Sequence, residues 1–599
     1  MVPPHSSAAV TNYQDAGRRM IVPLIARVCP RSPKQRLWAA ALFVAAIYLI
    51  AALTLSPDAF WSPDQGEKLP GAGEPQVERP GLRHLDLLPR PKPGSESDLA
   101  AGLAGSMRVQ SNGSVMGPFP VWFSLLSWLP YTLFGLRGLL LLPLLGGVAS
   151  AVLAGLLAER WVAGRGWLAV LLTALATPVF FYSEVFWEHT PALAAVLGGL
   201  VLMMYFEPAG FAPGLCLIAV GALPRREMLI AQVCGLGWTT YRLALSRTAG
   251  LARTALNAML GAGLIALAQL PWRQSSEAPL QELANASQRS ASSLTSPDQG
   301  WLSGPIRLGD QIVAGVFNND SNSALVGQPW SALTVLACLL AVLAMTLHGH
   351  WKWLAVALSA ITVALPAGVN AFSEMDIVAT HGLVVSAPML LAAVALLRVR
   401  AHAGSGLLLT SAILFAAAQT YLLRGGLEWG PRMALLVYPI AAVLIATCPA
   451  PRGGLSRASA AFALVLLVGL SVATEARGLG QLRSKLAYLS AWSEALIGLP
   501  QSVVLTDIWW LPLVTAPAYY HHQFFFAHEE MVQPLYQQPS VRSGQQQVLW
   551  FGGPEVPAWL GPYFEPISGR NAGGQALWIV ALRPRAVLTP APIAAHTTA

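Results

Sequence analysis

The stretch 37–55, LWAAALFVAAIYLIAALTL, runs through SPDAF into 61–68, WSPDQGEK. The first part carries no charge and is long enough to cross about 30 Å of hydrocarbon as a helix. The second places Asp64, Glu67 and Lys68 within five positions. Two carboxylates and an ammonium at the mouth of an apolar helix are costly unless the loop lies in water or in a cavity. The chain therefore reads as a membrane frame that holds this loop, and a few others like it, over one face of a bilayer.

Composition supports that frame. Of 599 residues, 54% are apolar and 11% are charged, against about 25% charged in soluble domains. Apolar runs recur from Leu37 to Thr474, each able to approach or cross the hydrocarbon, which makes an α-helical polytopic membrane protein. The net charge of +8 sits in short clusters between these runs, as the positive-inside rule requires, and forms no basic stripe of the kind that binds nucleic acid. The five cysteines have no metal or redox spacing.

In order, residues 1–36 form a basic arm that stays in the cytoplasm, and a retained signal-anchor helix follows at about 37–55. Residues 56–118 form the first outer loop. Phe119–Gly135, with its Pro and Trp residues, suits an interfacial helix. Spans are expected at about 136–158, 167–182, 190–206, 209–223, 228–241, 254–272, 330–347, 353–369, 382–397, 405–422, 433–449 and 458–474, with a long outer loop at 273–329. With the first helix this makes about 13 transmembrane helices over 37–474, and most short basic turns fall on one side. Residues 475–599 contain no spanning run. Their short apolar segments 502–506, 547–551 and 576–582, parted by Gly and Pro, predict a small extracytoplasmic α/β domain.

The unusual polar residues then gather on the outer face. Asp64 is the candidate general base, because deprotonating a hydroxyl needs a carboxylate within hydrogen-bond reach; the alternative is a solvated loop acid. Glu67 shares its loop. Glu184, Glu188 and His189 stand at a helix end, where Glu184 and Glu188, four apart, are expected to share a helical face. They suit substrate positioning, and a divalent metal is an alternative, although the spacing matches no recognised metal motif. Asn319, Asp320 and Glu428 are further positioning candidates. Lys68, Arg225 and Arg432 are the candidate cations for a phosphate; Arg225 breaks the positive-inside pattern, and Arg432 follows Trp429-Gly430-Pro431 at a helix start, where a guanidinium fork and helix donors match phosphate oxygens. Snorkelling to head groups is the plainer reading of Arg432. These groups lie among the aromatics Phe60, Trp61, Phe186, Trp187 and Trp429, and the Trp residues read most simply as interface anchors. His521, His522, His528, Glu529 and Glu530 read as a polar loop.

In their order these features resemble the GT-C superfamily of polytopic glycosyltransferases, which includes protein O-mannosyltransferases, aminoarabinose transferases and lipopolysaccharide-core sugar transferases. The resembling pieces are SPDQGEK (62–68), PFPVWFSLLSWLPYTLFG (118–135), YSEVFWEHTPA (182–192), FNNDSNSALVGQPW (317–330), HGLVVSAPMLL (381–391), GGLEWGPRMALLVYP (425–439) and VVLTDIWWLP (503–512). The resemblance implies a polyprenyl-phosphate-sugar donor and a glycan, lipid or protein acceptor at the outer face of the cytoplasmic membrane. It matches Asp64 to the catalytic acid of the first outer loop, Glu188 to the acidic position of the second, and Arg432 to a residue near the lipid phosphate. It implies an inverting displacement with no nucleotide cofactor. Asp64-Gln65 departs from the adjacent acids of many relatives, so the second carboxylate is Glu67 or is absent. The rival readings are a ligase or polymerase of lipid-linked oligosaccharides, and a lipid flippase or transporter.

Overall fold

The computed structural model of the protein describes residues 32–62, 65, 68, 108–109, 115–116, 121–245, part of 256–264, 329–372, 383–396, 411–414, 432–449, 453–500 and most of 502–585. The first helix, α1 (Pro33–Thr54), starts at a capping box. Ser32 Oγ accepts from the Gln35 N–H at 3.1 Å and Gln35 Oε1 accepts from the Ser32 N–H at 3.1 Å, with Pro33 in the first turn, so two otherwise orphaned donors are satisfied. Leu37, Val44 and Tyr48 pack inward while Leu42, Phe43 and Ile50 stay exposed. A helix that is apolar all round is a membrane helix. The Tyr48 hydroxyl donates to the Ala174 carbonyl at 2.9 Å, tying α1 to its neighbours.

The helices that follow are α2 (Val121–Phe134), α3 (Leu141–Trp161), α4 (Gly166–Leu175), α5 (Val179–Ser183), α6 (His189–Tyr205), α7 (Phe211–Ala222), α8 (Leu229–Leu245), α9 (Pro329–Thr346), α10 (Gly349–Phe372), α11 (Leu390–Leu396), α12 (Val437–Thr447) and α13 (Gly454–Ile497). Among the described residues, three helical stretches are long and apolar enough to cross a membrane: α1, Trp122–Trp161 and α13. The protein is a mostly helical membrane protein. Small residues let the helices close on one another, as they do where packing rather than the hydrophobic effect holds helices together. A Cβ on Gly146 of α3 would lie 2.4 Å from the Pro191 nitrogen of α6, and one on Gly199 of α6 would lie 2.5 Å from the Gly214 carbonyl oxygen of α7.

Three sequence expectations change. The span at 167–182 is two helices, α4 and α5, parted at Pro178, which lacks an N–H and bars the preceding residue from the helical conformation. The span at 382–397 breaks around Pro388 in the same way, into Leu383–Ser386 and α11. The helix expected over 458–474 continues to Ile497 as the 44-residue α13, which at 1.5 Å per residue is about 66 Å long. The boundary expected at 475 falls inside it.

The second half of α13 carries the sheet. Strands β1 (Arg108–Val109) and β2 (Val115–Met116) form a small antiparallel pair between α1 and α2. Strands β3 (Ser502–Thr506), β4 (Gln523–Phe526), β5 (Gln547–Gly552), β6 (Phe564–Asn571) and β7 (Trp578–Pro584) form one sheet in the order β4-β3-β5-β7-β6. Strand β3 runs parallel to β4 and β5, and β7 is antiparallel to β5 and β6. Side chains alternate across the sheet as the two-residue period demands. Val503, Leu505, Val548 and Trp550 pack with Val532 and Leu535 of the helix Glu529–Tyr536. Val504, Leu549 and Phe551 join Leu489, Trp492 and Leu496 of α13, with Trp492 edge-on to Phe551 at 6.1 Å. His522 is buried rather than in an open polar loop: Nδ1 accepts from the Ser502 N–H at 3.3 Å and Nε2 lies 2.8 Å from the Leu496 carbonyl.

Candidate active site

The site is built on the turn between α5 and α6. The sequence Phe180-Phe181-Tyr182 before it and Val185-Phe186-Trp187 within it is almost wholly apolar, so the turn buries, taking Glu184 and Glu188 inside with it. The Tyr182 ring stacks on Trp187 at 5.6 Å and on His189 at 5.1 Å. Phe186 packs on Phe60 and Phe123 at 6.3 and 5.0 Å, and Trp61 meets Phe181 edge-on at 5.1 Å. Phe60, Trp61, Phe186 and Trp187 are therefore interior packing, at most 5% exposed, so Trp61 and Trp187 are not interface anchors, and Trp429 lies outside the described residues. Ring pairs with these separations add about 0.5–1.5 kcal/mol each beyond area burial.

Glu184 and Glu188 do not share a helical face. Glu184 caps the end of α5 and Glu188 stands just before α6, with a non-helical turn between them. Glu188 holds two cations. Its Oε2 is 2.7 Å from Lys68 Nζ, its Oε1 accepts from Arg225 Nη1 at 3.0 Å, and Arg225 Nε donates to Glu227 Oε1 at 2.7 Å. Every side chain in this chain of charges is at most 6% exposed. Burial alone would raise the Glu188 pKa, but Lys68 and Arg225 outweigh it and hold it at about 2. Burial opposes the Arg225 charge as well, and Glu227 and Glu188 more than offset it. The network joins three connections: the one between α1 and α2 through Lys68, the α5–α6 turn through Glu188, and the α7–α8 turn through Arg225 and Glu227.

A third cation completes the arrangement. The Arg432 guanidinium lies 5.4 Å from the Trp187 ring centroid and Lys68 Nζ lies 6.0 Å from it, within range of the ring's quadrupole. Arg432 begins a 3-10 turn, Arg432–Ala434, that leads into α12. Lys68 and Arg432 thus flank Trp187, with Arg225 joined to Lys68 through Glu188, and a cluster of cations of this kind suits the oxygens of a phosphate. Glu184 faces elsewhere, onto a cavity of about 20 Å³ shared with Trp61, Gln65, Leu482 and Leu486. It is 1% exposed, neither carboxyl oxygen has a hydrogen-bond partner among the described residues, and burial raises its pKa well above the usual carboxylate range.

No family model and no curated protein matches the sequence. The structure is similar to the crystal structure of ArnT from Cupriavidus metallidurans bound to undecaprenyl phosphate, at 17% identity and a TM-score of 0.41, covering 90% of this chain and 97% of that one. It is similar also to the archaeal oligosaccharyltransferase AglB from Archaeoglobus fulgidus in complex with an inhibitory peptide and a dolichol-phosphate, at 14% identity and a TM-score of 0.39, covering 85% of this chain and 69% of that one.

Of the candidates drawn from sequence, Lys68, Glu188, His189, Arg225 and Arg432 come together, and Glu184 stands beside them on its own cavity. Asp64, Glu67, Asn319, Asp320 and Glu428 lie outside the described residues. Among the described residues no three His, Cys, Asp or Glu side chains gather to hold a metal ion. The sequence reading missed Lys485, on the extension of α13, whose Nζ lies 4.4 Å from the Trp61 ring centroid.

Proposed function

We propose that the chain is a membrane glycosyltransferase that moves a single sugar from a polyprenyl-phosphate donor to a hydroxyl acceptor on the outer face of the cytoplasmic membrane, with inversion. The observation that carries this reading is that Lys68 and Arg432 flank Trp187 while Glu188 joins Lys68 to Arg225, at the ends of apolar helices. A lipid-borne phosphate would meet three cations there while its chain stays in the bilayer. The ordered motifs that resemble GT-C enzymes support the same reading.

In the proposed step the acceptor oxygen attacks the anomeric carbon, its proton passes to Asp64, and the bond from that carbon to the phosphate oxygen breaks. The polyprenyl phosphate leaves with the electron pair. Arg432 and Lys68 stabilise the charge that grows on the leaving phosphate, which is where fixed donors lower a barrier most. Glu188, pinned at low pKa, is a poor proton acceptor; its role is to hold Lys68 and Arg225 in place. Glu67 is the second carboxylate of the loop, and His189, Asn319, Asp320 and Glu428 position substrate. The frame has about 13 spans, with a cytoplasmic N-terminal arm (1–36) and an extracytoplasmic C-terminal domain.

Binding tests the donor half. Purified protein in nanodiscs is titrated with polyprenyl monophosphate and read by native mass spectrometry. Losing one charge-assisted contact costs about 1.5–3 kcal/mol, so Arg432→Gln is expected to weaken binding roughly 10–100-fold. Equal binding by Arg432→Gln and wild type would remove Arg432 from the phosphate site.

A further inference from the structure

We propose that Lys485 is a positioning residue for the first outer loop, holding its root against the extension of α13 through the face of Trp61. Two contacts with α13 and one with the segment after β3 hold the root. Lys485 Nζ lies over the Trp61 ring at 4.4 Å, Ser56 Oγ and Ser490 Oγ share a hydrogen bond at 2.5 Å, and the Phe60 N–H donates to the Val514 carbonyl at 2.9 Å. Ser490 and Lys485 belong to α13, and Val514 follows β3, so the root of the loop is fastened both to the long helix and to the sheet unit.

The setting makes the cation–π contact the specific one. Trp61 is fully buried and Lys485 is partly buried. Leu482 and Leu486, to either side of Lys485 on α13, line the same cavity as Trp61, Gln65 and Glu184. Among the described residues no carboxylate forms an ion pair with Lys485, so the indole face is the partner that compensates its burial there. A desolvated contact of this kind is stronger than one at the surface. Asp64 follows Trp61 by three positions in the sequence. For catalysis the inference rests on the transferase reading; for the loop's order it does not.

The test uses full-length protein in nanodiscs, as wild type, Lys485→Met, Lys485→Arg, Trp61→Leu and the double variant Lys485→Met/Trp61→Leu. Hydrogen exchange is followed over residues 56–68. Lys485→Met is expected to speed exchange there roughly 3–30-fold, Lys485→Arg to remain near wild type, and the double variant to be no worse than the worse single one. In the transfer assay Lys485→Met lowers kcat with little change in donor KM. Unchanged exchange in Lys485→Met would overturn the proposal, as would Lys485→Arg behaving like Lys485→Met, or additive effects in the double variant. Faster exchange without any transfer activity in wild type would uphold the clamp and count against the transferase reading, so the two failures are told apart.

Discussion

Glu188→Ala is expected to cost about 3–5 kcal/mol of stability, because it leaves Lys68 and Arg225 buried without the carboxylate that pairs them. Three loops meet at this one side chain, and the substitution frees all three. Glu188→Gln keeps the shape and an acceptor oxygen but loses the charge, so it should fall between alanine and wild type. Thermal unfolding in nanodiscs measures both. A loss under about 1 kcal/mol in Glu188→Ala, the scale of a surface pair, would mean that the network holds nothing. The same group sets an acid limit. Its pKa is depressed from the usual 4.5 to about 2, so its contribution is complete above 4.5 and is lost as the pH falls from there towards 2. Wild type should therefore lose stability in that window, and Glu188→Gln should lose less of it.

Asp64→Asn is expected to lower the transfer rate by about 10²–10⁴-fold, the range that a positioned general base supplies, with donor binding nearly unchanged. Asparagine is close in size and keeps an acceptor oxygen, but it cannot take a proton. Two other carboxylates sharpen the comparison. Glu188 is held at low pKa by two cations, which makes it a weak base, and burial raises the Glu184 pKa well above the usual carboxylate range. Transfer by Asp64→Asn at the wild-type rate would remove Asp64 from the mechanism and turn attention to Glu67.

How far the sequence could be read depends on which signal each element carries. The α1 run is uncharged over its whole length, so run length alone identifies it. The division of α4 from α5 was hidden because Pro178 sits inside uniformly apolar sequence, where hydropathy does not register a missing N–H. The extension of α13 was hidden for the opposite reason. Glu475, Arg477 and Arg483 lower the hydropathy after Thr474, yet Leu482, Leu486, Leu489 and Leu496 keep a helical spacing and are buried. Periodicity, not hydropathy, carries that element.

The site divides in a similar way. Lys68, Glu188, Arg225 and Arg432 are legible singly, as charges that are expensive at helix ends. Their pairing is not, because Glu188 meets partners from two distant loops and nothing local names them. The turn at 184–188 misleads, since two carboxylates four apart suggest one helical face while the aromatic residues between them bend the chain. Lys485 has no local signal: it is one more lysine on a polar helix face until the fold brings Trp61 beneath it.

The most direct measurement of the central claim offers wild-type protein in nanodiscs a panel of labelled lipid-linked sugars, with membrane extract as the source of acceptor. The panel contains monosaccharides on polyprenyl monophosphate and oligosaccharides on polyprenyl diphosphate. The account predicts transfer of one sugar from a monophosphate donor, release of polyprenyl phosphate, and an inverted anomeric centre in the product. Turnover of the diphosphate oligosaccharides alone, or binding of lipid donors by a folded protein that transfers nothing, would contradict it.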